Sequence, residues 1–288
     1  MIQKALPGLF LLLYISASLA SLVDERISEE RSNYHRSFAI LPHKPNYILP
    51  LTYQHKRNRE STDSINADMQ HAEIKFQLSL KVPVTDRTLF DGNGFIYLSY
   101  TARSLWQAYN TSESSPFRDT NHEPEVFINF TTPFDWQGLR IPLISTGFSH
   151  QSNGRGGNLS RGWNRIYLDT IVSYKDWYIS FKPWYRIPER EKRDEDDAKG
   201  DDNPDIHQYY GHFELRAFRA IGDNQLSFML RRNLKNSSRG ALEINYSYPF
   251  NNQVQGYVQF FHGYGETLLD YDFRNTRIGF GFMFSNWL

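Results

Sequence analysis

Residues 74–82, IKFQLSLKV, alternate strictly: Ile74, Phe76, Leu78, Leu80 and Val82 share one face, and Lys75, Gln77, Ser79 and Lys81 share the other. Successive side chains of a β-strand point to opposite sides, so the stretch reads as a strand with one apolar and one polar face. The same pattern recurs in Leu242, Ile244, Tyr246 and Tyr248 against Glu243, Asn245 and Ser247. It returns in Val254, Val258 and Phe260 against Gln253, Gln255 and Gln259, and in Ile278, Phe280, Phe282 and Phe284, spaced by Gly279 and Gly281. A soluble sandwich or a membrane barrel could carry such alternation. Length favours the barrel, because the segments run about 10 residues, enough for a tilted strand to cross a bilayer.

Twelve such segments start near residues 46, 73, 94, 122, 138, 164, 177, 207, 224, 239, 253 and 273. Longer connections lie near 55–72, 108–121, 151–163, 188–206 and 265–272, with the link at 234–238 a short exception. Shorter ones lie near 133–137, 175–176, 220–223 and 249–252. Short turns on one rim and long loops on the other are the habit of bacterial outer-membrane barrels, and an even strand count puts both termini on the short-turn, periplasmic side. The expected fold is all-β: a twelve-stranded antiparallel transmembrane barrel over 46–288, with long extracellular loops and short periplasmic turns.

The remainder of the chain fits that setting. Lys4, the apolar run Leu9 to Ile15 and Ser18-Leu19-Ala20 read as a signal peptide over 1–20, an N-terminal anchor being the alternative. Residues 21–45, rich in Glu and Arg, read as a periplasmic tail without a core of its own. Lysine plus arginine equals aspartate plus glutamate at 32 each, so no global field favours nucleic acid. Cysteine is absent, which suits a cell-envelope protein without being specific to one. The run 188–202, PEREKRDEDDAKGDD, reads as a solvated external loop.

Within the barrel, HQSNGRGGNLSRGWNR (150–165) carries the candidate chemistry. His150 and Ser152 share a strand face, and Asn164 opens the next segment on the same parity as Ile166, Leu168 and Val172. The apolar parity should face lipid, so all three polar residues are expected on the outside of the barrel, near the long-loop rim. A group facing hydrocarbon is badly placed for a soluble substrate and well placed for a membrane lipid. Serine needs a base to accept its proton, histidine serves near neutral pH, and the amide of Asn164 can orient the ring. Asparagine also avoids a carboxylate beside lipid, where an isolated charge is costly.

At these residues the chain resembles the bacterial outer-membrane phospholipase A family, through the H-x-S-N-G signature in GFSHQSNGRGGNLSRGWNR and the S-R-x-W-N-R that follows. Similarity extends to SESSPFRDTNHEPE (112–125), KPWY (182–185), DDNPD (201–205) and GYGETLLDYDFRNTRIG (263–279). The resemblance implies a calcium-dependent enzyme of the outer membrane, its site at the outer leaflet, hydrolysing sn-1 and sn-2 esters of phospholipids and lysophospholipids. It makes Ser152 the nucleophile, His150 the base and Asn164 the orienting residue, and gives the Gly154 backbone N–H to the oxyanion. It further implies a reversible homodimer that shares calcium between Ser160, the carbonyl of Arg155 and, from the facing subunit, Ser114. Asp202 matches a carboxylate at a separate, monomer-state calcium site. Two departures stand out: the loop before DDNPD is longer and more charged than the family pattern, and a dimer-facing glutamine is here Ala102.

Two other functions compete. One is a passive or channel-forming barrel with a vestigial site, against which bulky inward Tyr167, Tyr257 and Phe261 weigh. The other is a soluble secreted esterase, and the chain lacks the G-x-S-x-G elbow of one common fold of that kind.

Overall fold

The structure, a computed structural model, describes residues 20–36, 39–58, 68–194, 197, 199–235, 239–251 and 253–286. The expected signal peptide lies outside the described residues except for its last position. Twelve long strands follow in order: β1 (Asn46–Gln54), β2 (Ala72–Pro83), β3 (Phe95–Trp106), β4 (Phe117–Thr131), β5 (Leu139–Ser152) and β6 (Gly162–Tyr174). The second half comprises β7 (Trp177–Ile187), β8 (Phe213–Ile221), β9 (Asn224–Arg232), β10 (Gly240–Pro249), β11 (Gln255–Tyr264) and β12 (Arg274–Ser285). Each pairs antiparallel with its sequence neighbours, and β12 returns to β1 from Arg277↔Gln54 to Ser285↔Asn46. Closure leaves no edge with unpaired backbone groups, which is what lets a sheet sit in hydrocarbon. No helix among the described residues is long and apolar enough to cross a membrane.

Parity sorts the side chains as the alternation requires. Along β6, Ile166 and Leu168 are 52% and 47% exposed, while Arg165 and Tyr167 are 8% and 4% exposed. The outer surface is thus apolar and the lumen polar, the reverse of a soluble protein. Exposed aromatics gather near both rims, with Tyr53, Tyr109 and Tyr185 at the long-loop end and Trp136, Tyr174 and Phe250 at the other. Such girdles sit at the two membrane–water interfaces.

The strand starts fall where the pattern places them, with two larger shifts. The fourth strand begins at Phe117 rather than near 122. The eighth begins at Phe213 rather than near 207, because Ile206–Tyr210 forms a short helix, α2. Ile206 and Tyr210, four residues apart, are both buried under the long loops, and Gly211 ends the turn at φ 73°. That left-handed backbone is cheap only for glycine.

A second difference concerns residues 21–45. Ala20–Tyr34 form a helix, here α1 (first in chain order), which docks on the short-turn mouth of the barrel. Val23, Ile27, Glu30 and Tyr34 recur at helical spacing. Val23 packs with Tyr178 and Phe218, Glu30 meets Lys81 at 2.6 Å, and Tyr34 is buried against Phe95 and Tyr97. Asp24 pairs with Arg140 of β5 at 2.8 Å. The segment has almost no apolar stripe of its own, so only the barrel interior supplies its core.

The lumen is filled. Arg277 bridges Glu73 at 2.6 Å and Glu266 at 2.8 Å, Arg118 reaches Glu73 at 2.7 Å and Asp270, and Lys75 meets Glu266 at 3.0 Å. Nearer the other end, Lys44 lies 2.8 Å from Glu123 and 2.9 Å from Glu125. Two interior cavities, of about 60 and 100 Å³, lie beside Lys44 and Arg103.

Candidate active site

The pairing of β5 with β6 sets the site. His150 lies opposite Asn164 and Ser152 opposite Gly162, all on the outward face near the long-loop rim. His150 Nδ1 stands 2.9 Å from Asn164 Oδ1. The amide Nδ2 of Asn164 donates to Glu189 Oε1 at 2.6 Å. A carboxylate only accepts, so Glu189 fixes which end of the amide turns to the imidazole. The oxygen then faces Nδ1, so the tautomer this contact favours has its proton there and Nε2 as the acceptor.

On the β6 side the residue across from Ser152 is Gly162, which brings no side chain. A Cβ on Gly162 would stand 3.6 Å from Ser152 Cβ and 3.6 Å from a carboxylate oxygen of Asp202. A methyl here would make ordinary contact with both groups, and a larger side chain would crowd them. Gly154 follows in the turn at φ 64°, a backbone favouring glycine, and a Cβ there would meet His122 at 3.7 Å. His122 of β4, opposite Ser152 in register, has its Nδ1 2.5 Å from the hydroxyl of Tyr100.

The sequence-derived cation residues separate into two groups. Ser160 Oγ donates to Asp202 Oδ2 at 2.8 Å, and the other Asp202 oxygen meets Lys192 at 2.6 Å. Arg155 lies in the same loop, its guanidinium donating to the carbonyls of Phe117 and Arg118 at 3.0 and 2.7 Å. Ser114 sits in the preceding loop instead, exposed, in a left-handed turn at φ 57°. Among the described residues no group of three or more acidic or histidine side chains is placed to hold a metal. A hydroxyl and a backbone carbonyl are hard oxygen donors, so Ser160 and Arg155 fit calcium in kind, and so does the Asp202 carboxylate taken separately.

The DDNPD motif docks this loop beside Ser152. Asp201 binds Arg186 at 2.5 Å, Asn203 Oδ1 accepts from the Gly162 N–H at 2.9 Å, and Asp205 accepts from Tyr271 Oη at 2.8 Å. Sequence reasoning missed Glu189 and His122. Glu189 belongs to the run read as solvated, and only the register Asn164↔Ile187 puts the start of that loop behind the amide.

A sealed barrel with a blocked lumen, carrying its polar cluster on the lipid side, belongs with integral outer-membrane enzymes rather than pores. The family model described as Phospholipase A1 matches residues 23–284. The chain belongs to the phospholipase A1 family, and is an outer-membrane ester hydrolase. Phospholipase A1 of Klebsiella pneumoniae is 36% identical over 251 residues, 86% of this chain and 83% of its own length. Outer membrane phospholipase A from Escherichia coli superposes with a TM-score of 0.79 at 36% identity, covering 87% of this chain and all of that one (100%). The Salmonella typhi outer membrane phospholipase dimer with bound calcium gives a TM-score of 0.80 at 35% identity, over 90% and 98% of the two chains.

Proposed function

We propose that the chain hydrolyses sn-1 and sn-2 acyl esters of membrane phospholipids and lysophospholipids through Ser152, His150 and Asn164. The observation that carries this reading is the outward-facing His150 Nδ1 to Asn164 Oδ1 bond at 2.9 Å, two residues along the strand from Ser152 and on the same face. With Nδ1 protonated, Nε2 can accept the Ser152 proton as Oγ attacks the ester carbon. The Gly154 backbone N–H is the donor for the developing oxyanion. Collapse of the tetrahedral adduct breaks the ester bond, and the imidazolium returns its proton to the leaving lysolipid alcohol. Water, deprotonated by His150, then attacks the acyl-serine and releases the fatty acid. Purified protein in detergent should release fatty acid, and the isomers of lysophospholipid formed report the acyl position.

Asn164→Ala should lower kcat with little change in KM, by less than removal of the nucleophile, and Asn164→Asp should recover part of the rate. Glu189 is a positioning residue. Glu189→Gln keeps an acceptor but exchanges a hydrogen bond to a charged group, about 1.5–3 kcal/mol, for a neutral one of about 0.5–1.5 kcal/mol, so it should cost roughly five- to tenfold in kcat if amide orientation limits the rate. Unchanged kcat in Glu189→Gln would rule that role out.

Calcium would be held by Ser160, the Arg155 carbonyl and, in a dimer, Ser114 of the partner subunit, with Asp202 serving a separate site. When bound, it would add positive charge near the oxyanion. Chelation should abolish fatty-acid release, and readdition should restore it. Calcium should also raise the thermal midpoint of the wild type and raise it less in Ser160→Ala. A midpoint indifferent to calcium would remove the metal from this reading. The filled lumen argues against a passive channel.

A further inference from the structure

Away from the catalytic strands, the outward face of β9 to β12 changes character in three rows toward the long-loop rim. The first row, Phe228–Ile244–Phe260–Ile278, is wholly apolar. The second, Leu230–Leu242–His262–Thr276, is mixed. Above it, Arg232 pairs with Gly240, and Arg274 with Tyr264. Arg232, Arg239, His262 and Arg274, with Leu230 and Leu242, line a recess of about 180 Å³.

Two of the cations, Arg239 and Arg274, are held by neutral groups. Arg239 hydrogen-bonds Gln208 and lies 4.4 Å from the centroid of the Tyr209 ring. Arg274 Nη2 donates to His262 Nε2 at 2.9 Å, and the opposite nitrogen of that ring meets Thr276 Oγ1 at 2.7 Å. Among the described residues, no carboxylate forms an ion pair with Arg239 or Arg274. Guanidinium groups bind phosphate oxygens in a fork, and at a membrane surface such clusters attract anionic headgroups.

We infer that this recess binds the phosphate of a lipid seated in the outer leaflet, its acyl chains lying along Phe228, Ile244, Phe260 and Ile278. The rows argue for an amphiphile over a free anion: hydrocarbon, then a mixed belt, then positive charge follow one another at the membrane depth where acyl chain, backbone and phosphate of a lipid would lie. β7 and β8 separate the recess from the hydrolytic site on β5 and β6, so a molecule bound here is a resident lipid rather than substrate.

The test uses the full chain in neutral detergent at low salt, with three probes: an acylated glucosamine disaccharide bearing two phosphates, the same lipid dephosphorylated, and inorganic phosphate. The phosphorylated lipid should bind at least about tenfold more tightly than either of the others. Arg239→Gln with Arg274→Gln should weaken it by a similar factor, the corresponding lysine pair should recover part of the loss, and hydrolysis should be unchanged. Equal affinity for the dephosphorylated lipid, equal affinity for inorganic phosphate, or undiminished binding by the glutamine pair would overturn the inference. If the glutamine pair fails to fold, the salt dependence of wild-type binding decides. Affinity that does not fall as salt rises would refute a phosphate contact.

Discussion

Ser152→Ala is expected to reduce fatty-acid release by about four orders of magnitude or more, to the level of the oxyanion donors and binding alone. On the proposed mechanism Ser152 and His150 act as one unit, so His150→Ala should cost as much, and the double variant no more than either single. Non-additivity of this kind separates shared chemistry from two independent structural defects. Both side chains lie on the outer surface, and His150 makes its hydrogen bond to one neighbour, Asn164. Truncating them should therefore leave the barrel's unfolding midpoint close to that of the wild type. Substantial hydrolysis by Ser152→Ala would sink the catalytic assignment, whatever the fate of the calcium proposal.

Arg277→Met is expected to have the largest effect on stability. Arg277 is 2% exposed and meets Glu73, Glu266, Thr52 and Gln54 at 2.6, 2.8, 2.9 and 3.1 Å. Removing one partner of a buried ion pair leaves an uncompensated charge and costs about 3–5 kcal/mol. Adding Glu73→Gln should recover part of that cost, since the two residues share one network. Denaturant unfolding in lipid vesicles measures both. A loss within about 1 kcal/mol would show that the pair behaves like one at a wet surface.

The same cluster sets an acid limit. Burial alone would raise the pKa of Glu266, in the loop before β12, but Arg277 and then Lys75 outweigh it and hold the carboxyl below the usual range. A depressed folded-state pKa stabilises the fold above the unfolded value, and that contribution is lost as pH falls through the folded one. The wild type should therefore weaken in acid below the ordinary carboxylate range, and Arg277→Met should weaken less steeply there.

Much of this was legible in the chain. Alternation in IKFQLSLKV and its counterparts located the strands, because a barrel in lipid demands strict two-residue periodicity from each one separately. Parity then put His150, Ser152 and Asn164 on the lipid side, where they are found. Less regular segments were not legible. Val23, Ile27 and Tyr34 are too sparse to mark an amphipathic helix, and the surface that buries them comes from strands distant in the chain, Phe95 and Tyr97 for Tyr34 and Tyr178 and Phe218 for Val23. Ile206 and Tyr210 fit an alternating reading as well as a helical one until the interior they fill is known.

The amino-acid order alone determined the strand count, the closed topology and the outward direction of the three polar residues, since these follow from local periodicity and its phase. Only the tertiary structure decided what stands behind them: Glu189 locking the amide, the Asp202 loop resting on Gly162, and a helix and an ion-pair network occupying the lumen. Those contacts depend on register and loop path, which link residues far apart in the chain and leave no periodic trace in it.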